Sequence, residues 1–293
     1  MSAKCTLCPR ACNADRTQRA GFCGVFGAGD TVKAAKAMLH FGEEPPISGA
    51  DGSGAVFFSG CTLRCGFCQN EAISHGQAGA ALSGNRLRAQ MEQLIADGAQ
   101  NINLVTPTHV LPSILPALRP KLPVPVVYNC GGYESVETLR ELDGLVDVYL
   151  PDFKYSDAAL AAALSGAADY PRRAAEAIGE MYRQTGPYVI QEGKLVRGVL
   201  IRHLILPGQI DNSLGVLDWI AEHFAPGQVL LSLMGQYLPM GRAAKMPPFD
   251  RRITELEYDA VYSWAQLLGL RDGFTQELSS ASGQYIPAFD SGA

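Results

Sequence analysis

Three cysteines sit on one short run, Gly60-Cys61-Thr62-Leu63-Arg64-Cys65-Gly66-Phe67-Cys68-Gln69-Asn70, with the spacing C-x3-C-x2-C. Three thiolates this close can hold three irons of a [4Fe–4S] cubane and leave the fourth open, whereas an all-protein cluster takes four cysteines. An open iron can chelate a small molecule. A three-cysteine zinc site completed from elsewhere is the alternative. A second set, Cys5-x2-Cys8-Pro9, Cys12 and Cys23-Gly24, supplies four thiols. Four thiolates close a site fully, around Zn²⁺ or around a second [4Fe–4S] cluster. Seven of the eight cysteines fall within the first 70 residues, and the eighth is Cys130. The opening MSAKCTLCPR has no apolar core of a signal peptide, so a cytoplasmic location is expected. In that reducing compartment clustered thiols bind metal or do redox chemistry.

The elements that position these thiols follow from the apolar pattern. The chain has 293 residues, 47% of them apolar and 18% charged, with a formal net charge of −5. That composition excludes bulk disorder, and the acidic balance argues against a general nucleic-acid binder. No run reaches the ~18 apolar residues of a membrane span. The first 45 residues are rich in Cys and Gly, and only Thr31–Phe41 looks regular. So short a segment needs a metal or a docking surface to order it. From Gly54 onward, β-prone runs at 55–59, 102–105, 124–129, 146–150, 200–206 and 229–233 are apolar nearly throughout, as in parallel strands buried on both faces. Helical patterns fall between them, at 87–98, 135–142, 171–183, 212–224 and 254–268, and 188–197 reads as a hairpin around Glu192-Gly193. Six strand–helix alternations predict an α/β fold. No Gly-x-Gly-x-x-Gly follows the first strand, and a partial (β/α)6 TIM-like barrel fits the count better than a doubly wound sheet. The expected organisation is a Cys-rich metal-binding segment over 1–45, the barrel over 46–275 and a tail over 276–293.

In such a fold the chemistry belongs at the carboxyl ends of the strands. His109 follows the second strand and reads as a substrate-side group or a structural histidine. Cys130 ends the third, and reads as a reactive thiol or as a small buried side chain. Asp152 and Lys154 stand two apart after the fourth and face one side. Arg202 interrupts the apolar fifth strand, where a buried guanidinium needs an anionic partner. His203, its neighbour, points to the opposite face. His40, Glu43 and Glu44 could pack over the strand ends.

The C-x3-C-x2-C run with Phe67 before its last cysteine resembles the radical S-adenosylmethionine (SAM) superfamily. More narrowly, Asp51-Gly52-Ser53-Gly54, the first strand and Cys61-Thr62-Leu63-Arg64-Cys65-Gly66-Phe67-Cys68-Gln69-Asn70 resemble the activating enzymes of glycyl-radical enzymes such as pyruvate formate-lyase. The N-terminal Cys-x-x-Cys-Pro, Glu43-Glu44-Pro45-Pro46 and Gln276-Glu277-Leu278 are similar to a pyruvate-formate-lyase-activating-enzyme-like subgroup, and the resemblance spans nearly the whole chain. It implies a [4Fe–4S] cluster on Cys61, Cys65 and Cys68 whose open iron binds the methionine end of SAM. Reductive cleavage would give a 5′-deoxyadenosyl radical that abstracts a hydrogen atom. The substrate would be a glycyl-radical enzyme, another protein or peptide, or a small molecule, and the reductant a flavodoxin or ferredoxin.

The resemblance also implies site residues. Where relatives carry a Gly-Gly-Glu that holds the SAM ammonium, this chain has Thr106-Pro107-Thr108. Asn129 lies near an acidic position of the activating enzymes. Asp152-x-Lys154 is similar to their SAM-contacting Asp-x-Lys, and Arg202 to the arginine of an Arg-x-x-x-x-Pro-Gly stretch. Gln236 lies where they have a histidine near the adenosyl group. The reading of a different class is a non-enzymatic iron–sulfur carrier or zinc-stabilised binding module. It predicts no SAM affinity.

Overall fold

The computed structural model describes residues 4–27 and 31–276, together with Phe289. Most of the expected tail, 276–293, therefore lies outside the described residues. Ten strands are found among them: β1 Thr31–His40, β2 Ser53–Phe58, β3 Ala80–Ser83, β4 Ile102–Val105, β5 Val126–Cys130, β6 Val148–Pro151, β7 Val189–Gln191, β8 Lys194–Leu204, β9 Leu230–Met234 and β10 Gly273–Gln276. The sheet runs in the order β10-β9-β8-β6-β5-β4-β2-β1-β3, with β7 paired to β8. The six apolar runs of the sequence are β2, β4, β5, β6, β8 and β9, which are mutually parallel. They lie side by side in chain order. A doubly wound sheet reverses its order at a switch point, and here none occurs. Nor is the sheet closed: its path ends at β3 and β10, so the barrel expectation reduces to an open, mixed α/β sheet.

Sequence patterning does not reveal the extra strands. β1 is the regular stretch noted above and pairs antiparallel with β2, so the Cys-rich segment and the sheet share a strand. Short β3 pairs antiparallel with β1, and β10 adds parallel to β9. The 188–197 hairpin forms as β7 and β8, with Glu192 and Gly193 at φ 51° and 77°. Two successive positive φ values make the tight turn that favours an x-Gly pair.

Alternation along the strands splits the core. Val56, Phe58, Leu104, Tyr128, Val199 and Leu231 pack with the long helices Gly84–Ala96, Tyr170–Thr185, Ile210–His223 and Glu255–Leu267. The last helix starts with a capping box, in which Thr254 and Glu257 satisfy each other's backbone N–H groups. Ser135 precedes the helix Val136–Arg140, but its hydroxyl bonds the side chains of Glu137 and Thr138 instead of capping.

On the other face, Val127, Val148, Leu150, Leu200 and Leu230 meet the buried Ile47, which comes from outside the strands, and the partly buried Tyr188 packs against the same cluster. Ile47 belongs to the short helix Pro45–Ser48 between β1 and β2. Gln100 and Asn101 both donate to the Ile47 carbonyl, at 2.6 and 2.7 Å. Residues 41–52 thus form a plug on the inner face of the sheet. Ile47 is fully buried, so Ile47→Ala should cost about 2–5 kcal/mol. Urea unfolding with an unchanged m-value is the check; a cost below about 1 kcal/mol would mean the plug is not seated as described.

Candidate functional site

The thiol loop leaves the carboxyl end of β2 through Gly60, at φ 91°. A side chain there would come within 2.4 Å of the Cys23 carbonyl and 3.1 Å of His109 Nε2, so only glycine allows the approach. The loop is pinned by Gly66 N–H to the Leu164 carbonyl (2.8 Å) and by Ala243 N–H to the Gly66 carbonyl (2.9 Å). Each of its three sulfurs accepts one hydrogen bond. Leu63 N–H reaches Cys61 Sγ at 3.3 Å, Ser165 Oγ reaches Cys65 Sγ at 3.1 Å, and Ser74 Oγ reaches Cys68 Sγ at 3.4 Å. Burial pushes the Cys61 thiol up to about 12, and Cys65 and Cys68 add to it; a bound metal reverses that by taking the thiolate. Among the described residues no three His, Cys, Asp or Glu side chains converge tightly enough for a single ion. What the loop offers is three thiols with a donor each, and such donors tune a thiolate-held iron–sulfur cluster. Phe67 packs its ring against Tyr155 and Tyr237, so its contacts anchor the loop.

Beside the loop, on the inner face, lies a charged network centred on Arg202. Its Nε donates to Asp152 Oδ1 (2.9 Å), Nη1 to Glu43 Oε2 (3.1 Å) and Nη2 to Asn129 Oδ1 (2.6 Å). Lys154 Nζ donates to the other Asp152 oxygen at 2.5 Å. Asn103 and Asn129 both donate to Glu43 Oε1, at 3.0 and 3.1 Å. Burial opposes charge on Asp152, but Arg202 and Lys154 outweigh it and hold the carboxyl below its usual range. Four residues singled out from sequence therefore meet: Asn129, Asp152, Lys154 and Arg202. Glu43 and Asn103 complete the set; a polar Asn inside the apolar run Ile102–Val105 was the available signal for the latter.

The remaining candidates lie elsewhere. Thr106 follows β4 directly, at φ 58°, a strained conformation for a β-branched residue. Gln236 lies beyond β9 with its amide 4.0 Å from the Met234 sulfur. Cys130 follows Asn129 and faces the helices, where burial pushes its thiol well above the ordinary value. On that side Thr108 Oγ1 and Tyr128 OH donate to opposite oxygens of Glu134, at 2.8 and 3.2 Å. Glu134 was not anticipated, because nothing in a loop sequence announces a buried carboxyl. His109 is fully buried, 2.7 Å from the Ser59 carbonyl through Nε2. A carbonyl only accepts, so Nε2 carries the proton, and burial pushes the imidazole down to about 4. It thereby ties the end of β2, from which the thiol loop departs. His203 is likewise buried, between the Phe153 carbonyl and Ser213.

The N-terminal segment docks directly on the thiol loop. Cys61 N–H donates to the Cys23 carbonyl at 3.3 Å. Arg10 donates to the carbonyls of Thr62 (2.9 Å), Ser165 (2.5 Å) and Gly166, and its guanidinium covers the Phe22 ring. Arg16 bridges the His109 carbonyl and Cys23 Sγ, at 2.7 and 3.5 Å. Gly21 sits between two sulfurs: a side chain there would lie 3.4 Å from Cys23 Sγ and 3.6 Å from Cys12 Sγ. Burial pushes the Cys8 thiol up to about 12, with Cys23 and Cys5 close enough to contribute.

No family profile matches the chain. It is 29% identical over 276 residues to the uncharacterized protein MJ0674 of Methanocaldococcus jannaschii, across 91% of this chain and 75% of the relative. Its fold is similar to that of Streptococcus suis SuiB bound to the precursor peptide SuiA, with TM-score 0.52, 13% identity and 75% of this chain covered. SuiB bound to S-adenosylmethionine gives TM-score 0.52 and 14% identity over the same share. The chain spans about half the length of these solved structures, 48% and 49%. The likeness establishes a shared fold.

Burial raises Glu134 from 4.5 to about 7, against the pull of the Thr108 and Tyr128 hydroxyls. Between those values the folded chain holds a proton that the unfolded chain has lost, so stability falls as pH rises from about 4.5 to about 7, by about 3 kcal/mol in all. Glu134→Gln should flatten that slope in urea titrations of the metal-free protein. An unchanged slope would place the titrating group elsewhere.

Proposed function

We propose that the chain is a radical SAM enzyme, with a [4Fe–4S] cluster on Cys61, Cys65 and Cys68 and SAM held beside it. The observation that carries this reading is the loop of three thiols, each with its own hydrogen-bond donor, at the rim of a parallel sheet and next to buried cations and carboxylates. Held by Cys61, Cys65 and Cys68, a reduced cluster would supply one electron to the SAM sulfonium, whose carbon–sulfur bond would break to release methionine and leave a 5′-deoxyadenosyl radical able to take a hydrogen atom from the substrate. The chain's own residues bind and orient. Lys154 and Arg202 are cations for the SAM carboxylate, and Asp152 and Asn129 accept from its donors. Leu63 and Phe67, both buried, keep water from the loop.

Cys5, Cys8, Cys12 and Cys23 hold a second metal in this reading, a [4Fe–4S] cluster or Zn²⁺, which orders a segment too short for its own core. SuiB with its bound precursor peptide supports a peptide or protein substrate. Activation of a glycyl-radical enzyme is the narrower form of that reading, with flavodoxin or ferredoxin as reductant. Among the described residues no helix is long and apolar enough to cross a membrane, in keeping with the cytoplasmic location proposed.

Anaerobic reconstitution tests the assignment. With SAM and a strong reductant the protein should release 5′-deoxyadenosine, and replacing Cys61, Cys65 and Cys68 together by Ala should abolish both that product and one cluster's worth of iron. Full iron content and activity in the triple variant would sink the reading. Lys154→Ala leaves Asp152 with one cation fewer; truncating one side of a buried pair costs roughly 3–5 kcal/mol, or about 10²–10³-fold in SAM affinity if the energy appears in binding. Binding read from the cluster's spectrum without substrate decides this, and an unaltered affinity moves Lys154 off the SAM site. Cys8→Ala should lower the second metal's content while the SAM-induced spectral change persists. Loss of both centres in a folded protein would contradict two separate sites.

A further inference from the structure

One apolar hollow on the inner face is filled by a side chain from outside the sheet. Ala55 and Phe57 of β2 point to this face, away from Val56 and Phe58. With Ala35, Met38, Ile73 and Val105 they form a small apolar cluster, and Phe289 packs onto it. The Phe289 ring meets the Phe57 ring edge-on, at 5.4 Å and 71°. His40 meets the same ring at 6.1 Å and 84°. Phe289 comes from beyond β10, which lies at the far edge of the sheet, six strand spacings or about 29 Å from β2. The thirteen residues from Gln276 to Phe289 can span at most about 45 Å, enough for the return.

The hollow adjoins the candidate site in two ways. Phe57 is level with Val105, and Val105 with Asn129, whose side chain takes a hydrogen bond from Arg202 at 2.6 Å. Hollow and charged network are thus parts of one row across the inner face. Ile73 makes the second link, because it lies on the short helix Glu71–Ser74 that follows the thiol loop. Its carbonyl accepts from Gly60 N–H at 2.9 Å, and Ser74 beside it donates to Cys68 Sγ. Ile73 therefore couples the hollow to the helix that supplies one thiol's donor. The occupant differs from its surroundings. Ala55, Phe57, Ile73 and Val105 are buried framework side chains, whereas Phe289 is only partly buried and is tethered through the chain beyond β10. Without Phe289 an apolar surface would face water beside the thiols, an unfavourable state. A tethered side chain in such a seat acts as a ligand at about millimolar effective concentration, and a second chain that makes more contacts displaces it.

We infer that this hollow is the seat for a large apolar or aromatic side chain of the polypeptide substrate, and that Phe289 fills it until that substrate binds. The inference rests on the radical SAM reading, with its peptide or protein substrate, for the identity of the incoming chain. The test compares full-length wild type with Phe289→Ala and Phe289→Leu. The probes are anilinonaphthalene sulfonate, a dye that fluoresces on apolar surface, and a synthetic peptide of residues 277–293 with its Phe289→Ala counterpart. In metal-free protein Phe289→Ala should raise the dye's fluorescence several-fold over wild type, and Phe289→Leu should not. The peptide should displace the dye from Phe289→Ala and bind wild type about tenfold more weakly, because the resident side chain competes. Its Phe289→Ala counterpart should displace nothing. In reconstituted, SAM-loaded Phe289→Ala the peptide should also change the cluster's spectrum, through Ile73 and Ser74. Equal dye fluorescence in wild type and Phe289→Ala overturns the inference, and so does dye that the peptide fails to displace. A peptide that displaces the dye and leaves the cluster's spectrum unaltered also overturns it, by reducing the hollow to a packing contact. Failure of the radical SAM reading shows separately, as wild-type protein that builds no cluster on the loop or binds no SAM, while dye and peptide on metal-free protein still report whether Phe289 covers an exchangeable seat.

Discussion

A guanidinium inside a sheet has to be surrounded by acceptors, because an isolated buried charge costs on the order of tens of kcal/mol in an apolar medium. Arg202, with a side chain 14% exposed, meets that demand through three other segments: Asp152 after β6, Asn129 on β5 and Glu43 on the plug. The demand explains why residues 41–52 fold back onto the inner face instead of passing straight from β1 to β2. It also explains Lys154, whose ammonium balances the Asp152 oxygen that Arg202 leaves over. The strand ends are thus held in register by charge as well as by the backbone ladder, and the isolated bridge between Asp152 and Arg202 records both.

The legible parts of this architecture are those in which a residue's surroundings are dictated by its own strand. Six parallel strands announce themselves because burial on both faces demands apolar residues at every position. Asp152, Lys154 and Arg202 stand out because charges within or at the end of such runs need partners. β3 and β10, at the edges, have no such demand on them, and four residues each carry too little pattern. Closure of the sheet depends on twist and curvature, which no alternation of residue types encodes. Glu43 could be placed only near the strand ends, since its partner Arg202 lies 159 positions away. Cys130 is instructive in another way. Its neighbour Asn129 faces the charged network, so the period of two already sends Cys130 to the helices.

The N-terminal cysteines sit on a segment with almost no apolar core of its own. Arg10 and Arg16 replace that core with hydrogen bonds to carbonyls of the thiol loop, of Ser165 and Gly166, and of His109. The two sets of thiols are therefore joined by backbone and guanidinium contacts, and whatever orders one segment also steadies the other.

β2 acts as a ruler. It starts where the plug ends and finishes where the thiol loop begins, and it contains six residues. At about 3.3 Å per residue that is about 20 Å from base to rim. Because Gly60 is wedged against the Cys23 carbonyl and the plug is fastened at Ile47, neither end can slide. The height of the thiols above the Ile47 end of the plug is consequently a counted quantity, while Glu43 reaches toward the rim, where it meets Asn129, level with Phe57. A one-residue insertion in this strand would turn every later side chain to the wrong face, so the distance between plug and thiol loop can change only in steps of two residues, about 7 Å.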